Sequence, residues 1–331
     1  MDITIQIDYK LLFGKKKGIN NMDLERFYDE KFLPTQEYLD SMPDLQNGEF
    51  HSVEIEKVGI SGFKLPLKIK TRNGEFIEVE ATIVGTVSLE GEKKGINMSR
   101  ILRTFYKNRE YVFDIDKLTD ILKQYQKDLG SYEAQILISF NYRLWIESLR
   151  SRDKDGNKNG GWQYYKTCFD VSIDSQGIIN KVIHFDFVYS SACPCSTELS
   201  IHAAETRGIY AIPHSQRSVA RISILFNSIV WIEDLHDLCK KVLKTETLVF
   251  CKREDEQAFA EMNGANVKFV EDAARLLYSE LLKNKNIIEF KIILSHNESL
   301  HNHNAISLIL SDNNKFFDSK VSIAELQSLV Y

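Results

Sequence analysis

The chain has 331 residues, with 42 Lys+Arg against 47 Asp+Glu, a formal net charge of −5 and 43% hydrophobic residues. That balance belongs to a water-soluble globular protein and excludes disordered and fibrous classes. The mild acidity argues against a dedicated nucleic-acid or membrane-binding surface, while leaving room for a local basic pocket for a phosphorylated small molecule.

The longest apolar stretch, VARISILFNSIVWI, is interrupted by Arg221, Ser223, Asn227 and Ser228. It falls short of the ~18 apolar residues a spanning helix needs. The N-terminus, MDITIQIDYKLLFGKKK, lacks the basic-then-apolar order of a secretory signal. Five cysteines, with Cys193 and Cys195 two apart in SACPCS, do not suggest a disulfide framework. A reducing, cytoplasmic setting is expected.

In chain order, residues 1–47 read as a charged N-terminal extension, with LERFYDEKF and PTQEYLDSM as short helix or arm. From Phe50 the pattern turns to strand-like alternation in FHSVEIEKVGI, FKLPLKIKT and EFIEVEATIVGTVSL, with Asn73-Gly74 as a hairpin signal. Two helical stretches follow, SRILRTFYKNR and DIDKLTDILKQYQKDL. The second carries Ile115, Leu118, Ile121 and Leu122 on one face, with Asp114 or Asp116 near its start. Strand character returns in EAQILISFNYRLWIES.

RSRDKDGNKNGGW is a polar, glycine-containing stretch without apolar periodicity, and it is expected to join two modules near residues 151–161. The order then repeats. TCFDVSID, KVIHFDFVYS and RSVARISILFN read as strands; WIEDLHDLCKKVLK, CKREDEQAFAEMNG and VKFVEDAARLLYSELLKN as helices; IIEFKIILS and AISLILS as closing strands. The expectation is an α+β architecture of two tandem modules, residues 48–150 and 151–331, each a mainly antiparallel sheet with paired helices. Sheet edges in such a layout favour oligomerisation.

Several constellations could carry chemistry. His301 and His303 would face one way if SLHNHNA is extended, although the pattern alone favours a polar loop between strands. SACPCS offers thiolates beside a proline-stiffened turn, but Cys168, Cys239 and Cys251 do not supply the second pair a zinc ribbon wants. One thiolate joining histidines in a mixed, open site is the more plausible use. PHSQRS brings His214 and Arg217 to the start of a strand. The acidic runs Glu254–Glu256 and Glu271–Asp272 open helices, where carboxylates also complement the helix dipole by about 0.3–1 kcal/mol. Separately, none of these names a function.

Together, in order, GINMSR, SACPCS, PHSQRS, KREDEQAF, FVEDAARLL and ESLHNHNA resemble the type IB GTP cyclohydrolase I family, from about Gly48 to about Leu310. A relative is the archaeal GTP cyclohydrolase. The resemblance implies the tunnelling fold (T-fold), two modules per chain, and a homotetramer with active sites at subunit interfaces. It implies a hydrolase opening the cyclic amidine of GTP at C8 to give 7,8-dihydroneopterin triphosphate and formate, the first step toward folate. It further implies a divalent metal ion, Zn, Mn or Fe, on Cys193, His214, Glu256 and His301, with Cys193 doubling as a catalytic residue. Glu271 would take the guanine edge, Arg100 and Arg217 the triphosphate, and His303 and Glu298 the proton transfers.

Departures from the family pattern are specific. Asn97 stands where histidine is usual, keeping a hydrogen bond to substrate but no proton exchange near neutrality. Thr197 replaces the lysine after CPCS, the stretch from Cys195 to His214 is long, and HNHN ends at Asn304 where HNHD is usual. Three alternatives follow from this drift. They are a T-fold enzyme with another product, such as a cyclic phosphate; one acting on another purine nucleotide; or a non-catalytic purine-nucleotide scaffold.

Overall fold

The computed structural model describes residues 29–42 and 51–330, and the chain divides into two compact units, Met1–Asn47 and Gly48–Tyr331. In the first unit, helix α1 (Gln36–Asp40) forms within PTQEYLDSM, and Thr35 Oγ1 caps it by accepting from the Tyr38 N–H at 3.2 Å. The helix or arm expected from LERFYDEKF lies mostly outside the described residues.

Among its described residues, the second unit is built on a nine-stranded sheet of order β3–β1–β2–β4–β5–β6–β7–β8–β9. Its first half runs β1 (Ile55–Lys70), β2 (Phe76–Leu89), α2 (Met98–Asn108), β3 (Val112–Phe113), α3 (Ile115–Leu129), β4 (Ala134–Arg152) and β5 (Lys158–Ile173). The second half runs β6 (Ile179–Ala192), α4 (Pro194–Arg207), β7 (Ser215–Phe226), α5 (Ile232–Leu243), α6 (Arg253–Ala265) and α7 (Val270–Leu281). It closes with β8 (Ile287–His296), β9 (Ala305–Leu310) and α8 (Ile323–Gln327). Neighbouring strands are antiparallel, except that β1 and β3 pair parallel. Two long strands, helices, then two strands recur in both halves, with the short β3 set between the helices of the first and α4 inserted between β6 and β7 of the second, which is the α+β layout expected for the tunnelling fold.

The junction of the halves differs from expectation. Residues 150 and 151 lie inside β4, and the polar stretch around them is the tip of the β4–β5 hairpin, paired from Ala134↔Ile173 out to Arg152↔Lys158. Only residues 153–157 turn. Asp153 Oδ1 accepts from the N–H groups of Asp155 and Asn157 at 2.8 and 2.9 Å, and Gly156 takes φ 86°. Gly160 and Gly161 continue the strand because β4 supplies their partners, Glu147 and Ile146, so no apolar alternation was needed to hold them extended; the register shifts between Glu147 and Arg152. The two halves meet instead at the β5–β6 turn, where Asp174 Oδ1 accepts from Gln176 and Ile178 N–H and Gly177 takes φ 81°. The two strands expected before Thr71 are likewise one strand, irregular between Ile60 and Phe63.

Helices cover one face of the sheet. α3 buries Ile115, Leu118, Ile121, Leu122 and Tyr125, at the spacing the sequence predicts; α7 buries Val270, Ala273, Ala274, Leu277 and Leu281. These meet Ile83, Ile136, Phe185, Phe187, Ile222, Ile292 and Leu294 from the strands in one continuous core. Each large side chain fully buried there contributes about 1.5–3 kcal/mol before conformational entropy is charged against it. The opposite face is partly covered by the C-terminal segment, where Leu329 packs on Val188, Val219 and Ile293. Among the described residues no helix is long and apolar enough to cross a membrane.

Candidate active site

Along β6, β7 and β8 the helix-covered face changes character toward one end. Phe185 and Phe187 give way to Tyr189 and Ser191 on β6, and then to Cys193. On β7, read in the other direction, Ile222 and Ala220 give way to Ser218 and Gln216, and then to His214. Alternation keeps each of these series on one face. The register pairs Tyr189 with Ser218 and Ser191 with Gln216, and Ser218 pairs on with His296 of β8. A polar strip therefore leads out of the apolar core to the strand ends.

Cys193 and His214 stand opposite one another at that end. The Cys193 N–H donates to the His214 carbonyl at 3.3 Å, extending the pairing of Ala192 with Ser215. Directly opposed residues of an antiparallel pair share a face, so thiol and imidazole leave the sheet together. Cys193 is also the N-cap of α4, a helix for which the sequence offers no expectation beyond a turn at SACPCS, and its side chain makes no capping hydrogen bond. Ser196 Oγ, in the first turn of α4, accepts from the His214 N–H at 3.2 Å and ties the two segments.

Glu298, in the loop after β8, reaches the same place. Its Oε2 is buried with no hydrogen-bond partner among the described residues and lies 3.5 Å from His214 Nδ1. Gln216 Oε1 is 3.1 Å from the same nitrogen. The start of α7 closes in from the side, since the Lys268 N–H donates to the Ala192 carbonyl at 3.3 Å. Ser307 Oγ of β9 donates to the Val270 carbonyl at 3.3 Å.

The paired acids at the helix starts have divided roles. In α7, Asp272 Oδ2 accepts from the Phe269 N–H and performs the capping, leaving Glu271 exposed. In α6, Asp255 accepts from the N–H groups of Lys252, Arg150 and Ser151 at 3.0, 2.7 and 2.9 Å, leaving Glu256 exposed. Burial opposes the Asp255 charge, but the Ser151 hydroxyl and these backbone donors hold the carboxyl well below its ordinary range.

Other expected site residues lie elsewhere. His301 and His303 are exposed, their rings stacked 4.9 Å apart. Arg217 is one residue out of phase with His214 and Gln216, so it leaves β7 on the opposite face. Asn97 is the N-cap of α2, its Oδ1 accepting from Ser99 Oγ at 2.5 Å. Arg100 Nη1 donates to the Asp128 carbonyl at 2.6 Å, beside a 320 Å³ cavity lined also by Arg103, Thr104 and Lys107. Both belong to the first half of the fold. Among the described residues, no three or more of the His, Cys, Asp and Glu side chains form a set that could hold a metal ion within one chain. Cys193 and His214, with the unpartnered Glu298 oxygen beside them, suit a transition metal in donor chemistry and make half of the expected ligand set.

The sequence reading passed over three groups under this site. His296 Nε2 lies 2.9 Å from the Tyr189 hydroxyl, and burial, with Lys268 nearby, pushes its pKa down to about 4. Lys268 donates to the carbonyls of Leu243 and Asn266, and burial, followed by Lys244, lowers it to about 8. Gln216, buried behind His214, is the third. The signal for His296 and Gln216 was a polar residue in register with apolar neighbours, which is visible only when strand pairing is known; Lys268 lies in the loop between α6 and α7 and had no such signal.

The family model for type I GTP cyclohydrolase folE2 matches residues 42–307. The chain is 47% identical over 298 residues to GTP cyclohydrolase FolE2 of Ruegeria pomeroyi, covering 88% of this chain and 79% of that protein. It is 46% identical over 292 residues to GTP cyclohydrolase FolE2 of Paracoccus denitrificans, covering 86% and 89%. Among solved structures, uricase from Arthrobacter globiformis is similar at TM-score 0.47 and 9% identity, over 80% of this chain and 96% of that one, a likeness too distant to speak to function. The family match spans both halves of the sheet and contains the Cys193, His214, Glu256, Glu271 and His301 motifs, so the chain belongs to the type I GTP cyclohydrolase FolE2 family.

Proposed function

We infer that this chain is a GTP cyclohydrolase of type IB, which takes GTP and water to 7,8-dihydroneopterin triphosphate and formate, at the head of folate synthesis. The observation that carries the reading is the meeting of Cys193 and His214 on one face beside the unpartnered Glu298 oxygen, inside the span matched by the family model.

A divalent metal, Zn, Mn or Fe, would be held by Cys193 and His214 together with Glu256 and His301, and when bound it would supply an activated water and polarise the reacting centre. The exposure of Glu256 and His301 supports a site completed by a second copy of the chain, in a homotetramer. So do the exposed apolar residues Leu199, Tyr210, Ile212 and Leu300 around the strand ends. The same applies to Asn97, Arg100 and Arg217, which do not share the Cys193/His214 strip within one chain.

Glu271 is the guanine anchor, accepting from N1–H and the exocyclic amine in one plane. Its exposure at the start of α7, with the capping work done by Asp272, leaves both oxygens for a ligand. Arg100 and Arg217 neutralise the triphosphate, and Asn97 offers a polar contact without a proton to exchange. Glu298 and His303 move protons as the imidazole ring opens and formate departs. Five free cysteines suit a reducing cytoplasm.

The test is incubation with GTP under Zn²⁺, Mn²⁺ or anaerobic Fe²⁺, with products read by mass spectrometry. One formate per dihydroneopterin triphosphate is expected; intact GTP under every metal contradicts the reading. Glu271→Gln should weaken GTP binding by about 2–4 kcal/mol, roughly 30- to 1,000-fold, because donors on the base lose a charged acceptor.

A further inference from the structure

We infer that Gln216 is a positioning residue that fixes the tautomer and the direction of the His214 ring, presenting the Nε2 lone pair outward. The inference rests on His214 as a metal ligand. Gln216 Oε1 lies 3.1 Å from His214 Nδ1, while its Nε2 donates to Ser191 Oγ at 2.8 Å. Ser191 Oγ in turn lies 2.8 Å from Ser218 Oγ. Both serines are fully buried, and Gln216 is 8% exposed. Water therefore does not compete for these bonds, and the amide is held at both ends.

A side-chain amide can be turned over, and hydroxyls can donate or accept, so this relay alone admits two arrangements of hydrogens. Glu298 removes the choice. Its Oε2, buried and without a hydrogen-bond partner, sits 3.5 Å from the same His214 nitrogen. Two oxygens, one a carboxylate and one an amide carbonyl, face Nδ1: both would repel a lone pair there, whereas an Nδ1–H donates to the amide oxygen and lies in the field of the carboxylate. A turned amide would put its NH₂ group against Nδ1 and require a lone pair there, leaving the carboxylate facing a lone pair as well. With Nδ1–H committed, Nε2 is the atom left to bind a metal, and Gln216 also sets the ring plane.

The test is metal affinity of the full-length protein, measured by chelator competition with Zn²⁺ and Co²⁺ alone, beside the melting temperature of the metal-free form. Gln216→Leu should keep the fold and lose about 10- to 100-fold in affinity, the usual cost of removing the group that orients a ligating histidine. Ser191→Ala frees the amide to turn and should lose less, roughly three- to tenfold. If Gln216→Leu does not fold, Ser191→Ala decides. Wild-type affinity in the folded variants, with His214→Ala losing the metal, overturns the role of Gln216 and leaves the metal site standing. Wild-type affinity in His214→Ala overturns both.

Discussion

Neighbouring acids at the helix starts separate into a capping residue and an exposed one by a single position. Asp255 caps α6 and also takes the N–H groups of Arg150 and Ser151 from the β4 hairpin, whereas Glu256 is exposed. Asp255→Ala leaves buried donors without acceptors and should cost about 2–3 kcal/mol in urea unfolding. Glu256→Ala should stay within about 0.5 kcal/mol of wild type in the same measurement and lose metal. The sequence showed both acids and could not divide them, because the capping role depends on which residue begins the helix, and that boundary is the least legible feature of a helical pattern. His296 adds a pH dependence. Its pKa is lowered to about 4 by burial and by Lys268. The unfolded chain, with an ordinary value near 6.5, therefore binds more protons between these limits, and stability falls as pH drops through that window. Metal-stripped protein should lose about 2 kcal/mol between pH 7 and 5 from this group. His296→Gln should flatten that slope, and an unchanged slope would remove His296 from the explanation.

At the scale of elements, legibility followed burial. α3 was plain because its apolar residues recur at helical spacing and all face the sheet. The sequence offers both Asp114 and Asp116 near its start; the structure gives the cap to Asp114, whose carboxylate accepts from the Lys117 N–H at 2.9 Å. Asp114→Ala should therefore lower stability by about 1 kcal/mol, and Asp116→Ala by clearly less, in paired denaturation curves. α4 was missed because none of its residues is buried, so no apolar stripe announces it. The signals that did exist were Pro194 at its first turn and Gly208 at its end, where φ is 65°. The missed helix holds Cys193 at its N-cap, so the geometry of the thiol was not readable from SACPCS alone. The hairpin tip at 153–157 shows the converse error: a polar, glycine-bearing run was read as a joint between modules, although its flanks are strands paired to each other.

Across the whole molecule, the duplicated strand–helix–strand order was legible because each half repeats the same change of hydrophobic period. The boundary between halves was not, since one continuous sheet runs through it and no linker composition marks the β5–β6 turn. The same continuity explains how distant motifs meet: Cys193 of SACPCS and His214 of PHSQRS are 21 positions apart in the chain, yet antiparallel pairing of β6 with β7 puts them side by side. Glu256 and His301, by contrast, are exposed, and the proposed site requires them to reach that pair from a second copy of the chain. The most direct measurement is an anomalous difference map at the metal absorption edge from crystals of the metal-loaded protein. One peak per chain is predicted, about 2.3 Å from Cys193 Sγ and about 2.0–2.1 Å from His214 Nε2 for zinc. Glu256 and His301 are predicted to approach the same ion. A peak away from Cys193 and His214, or an ion bound through His214 Nδ1, would contradict the account.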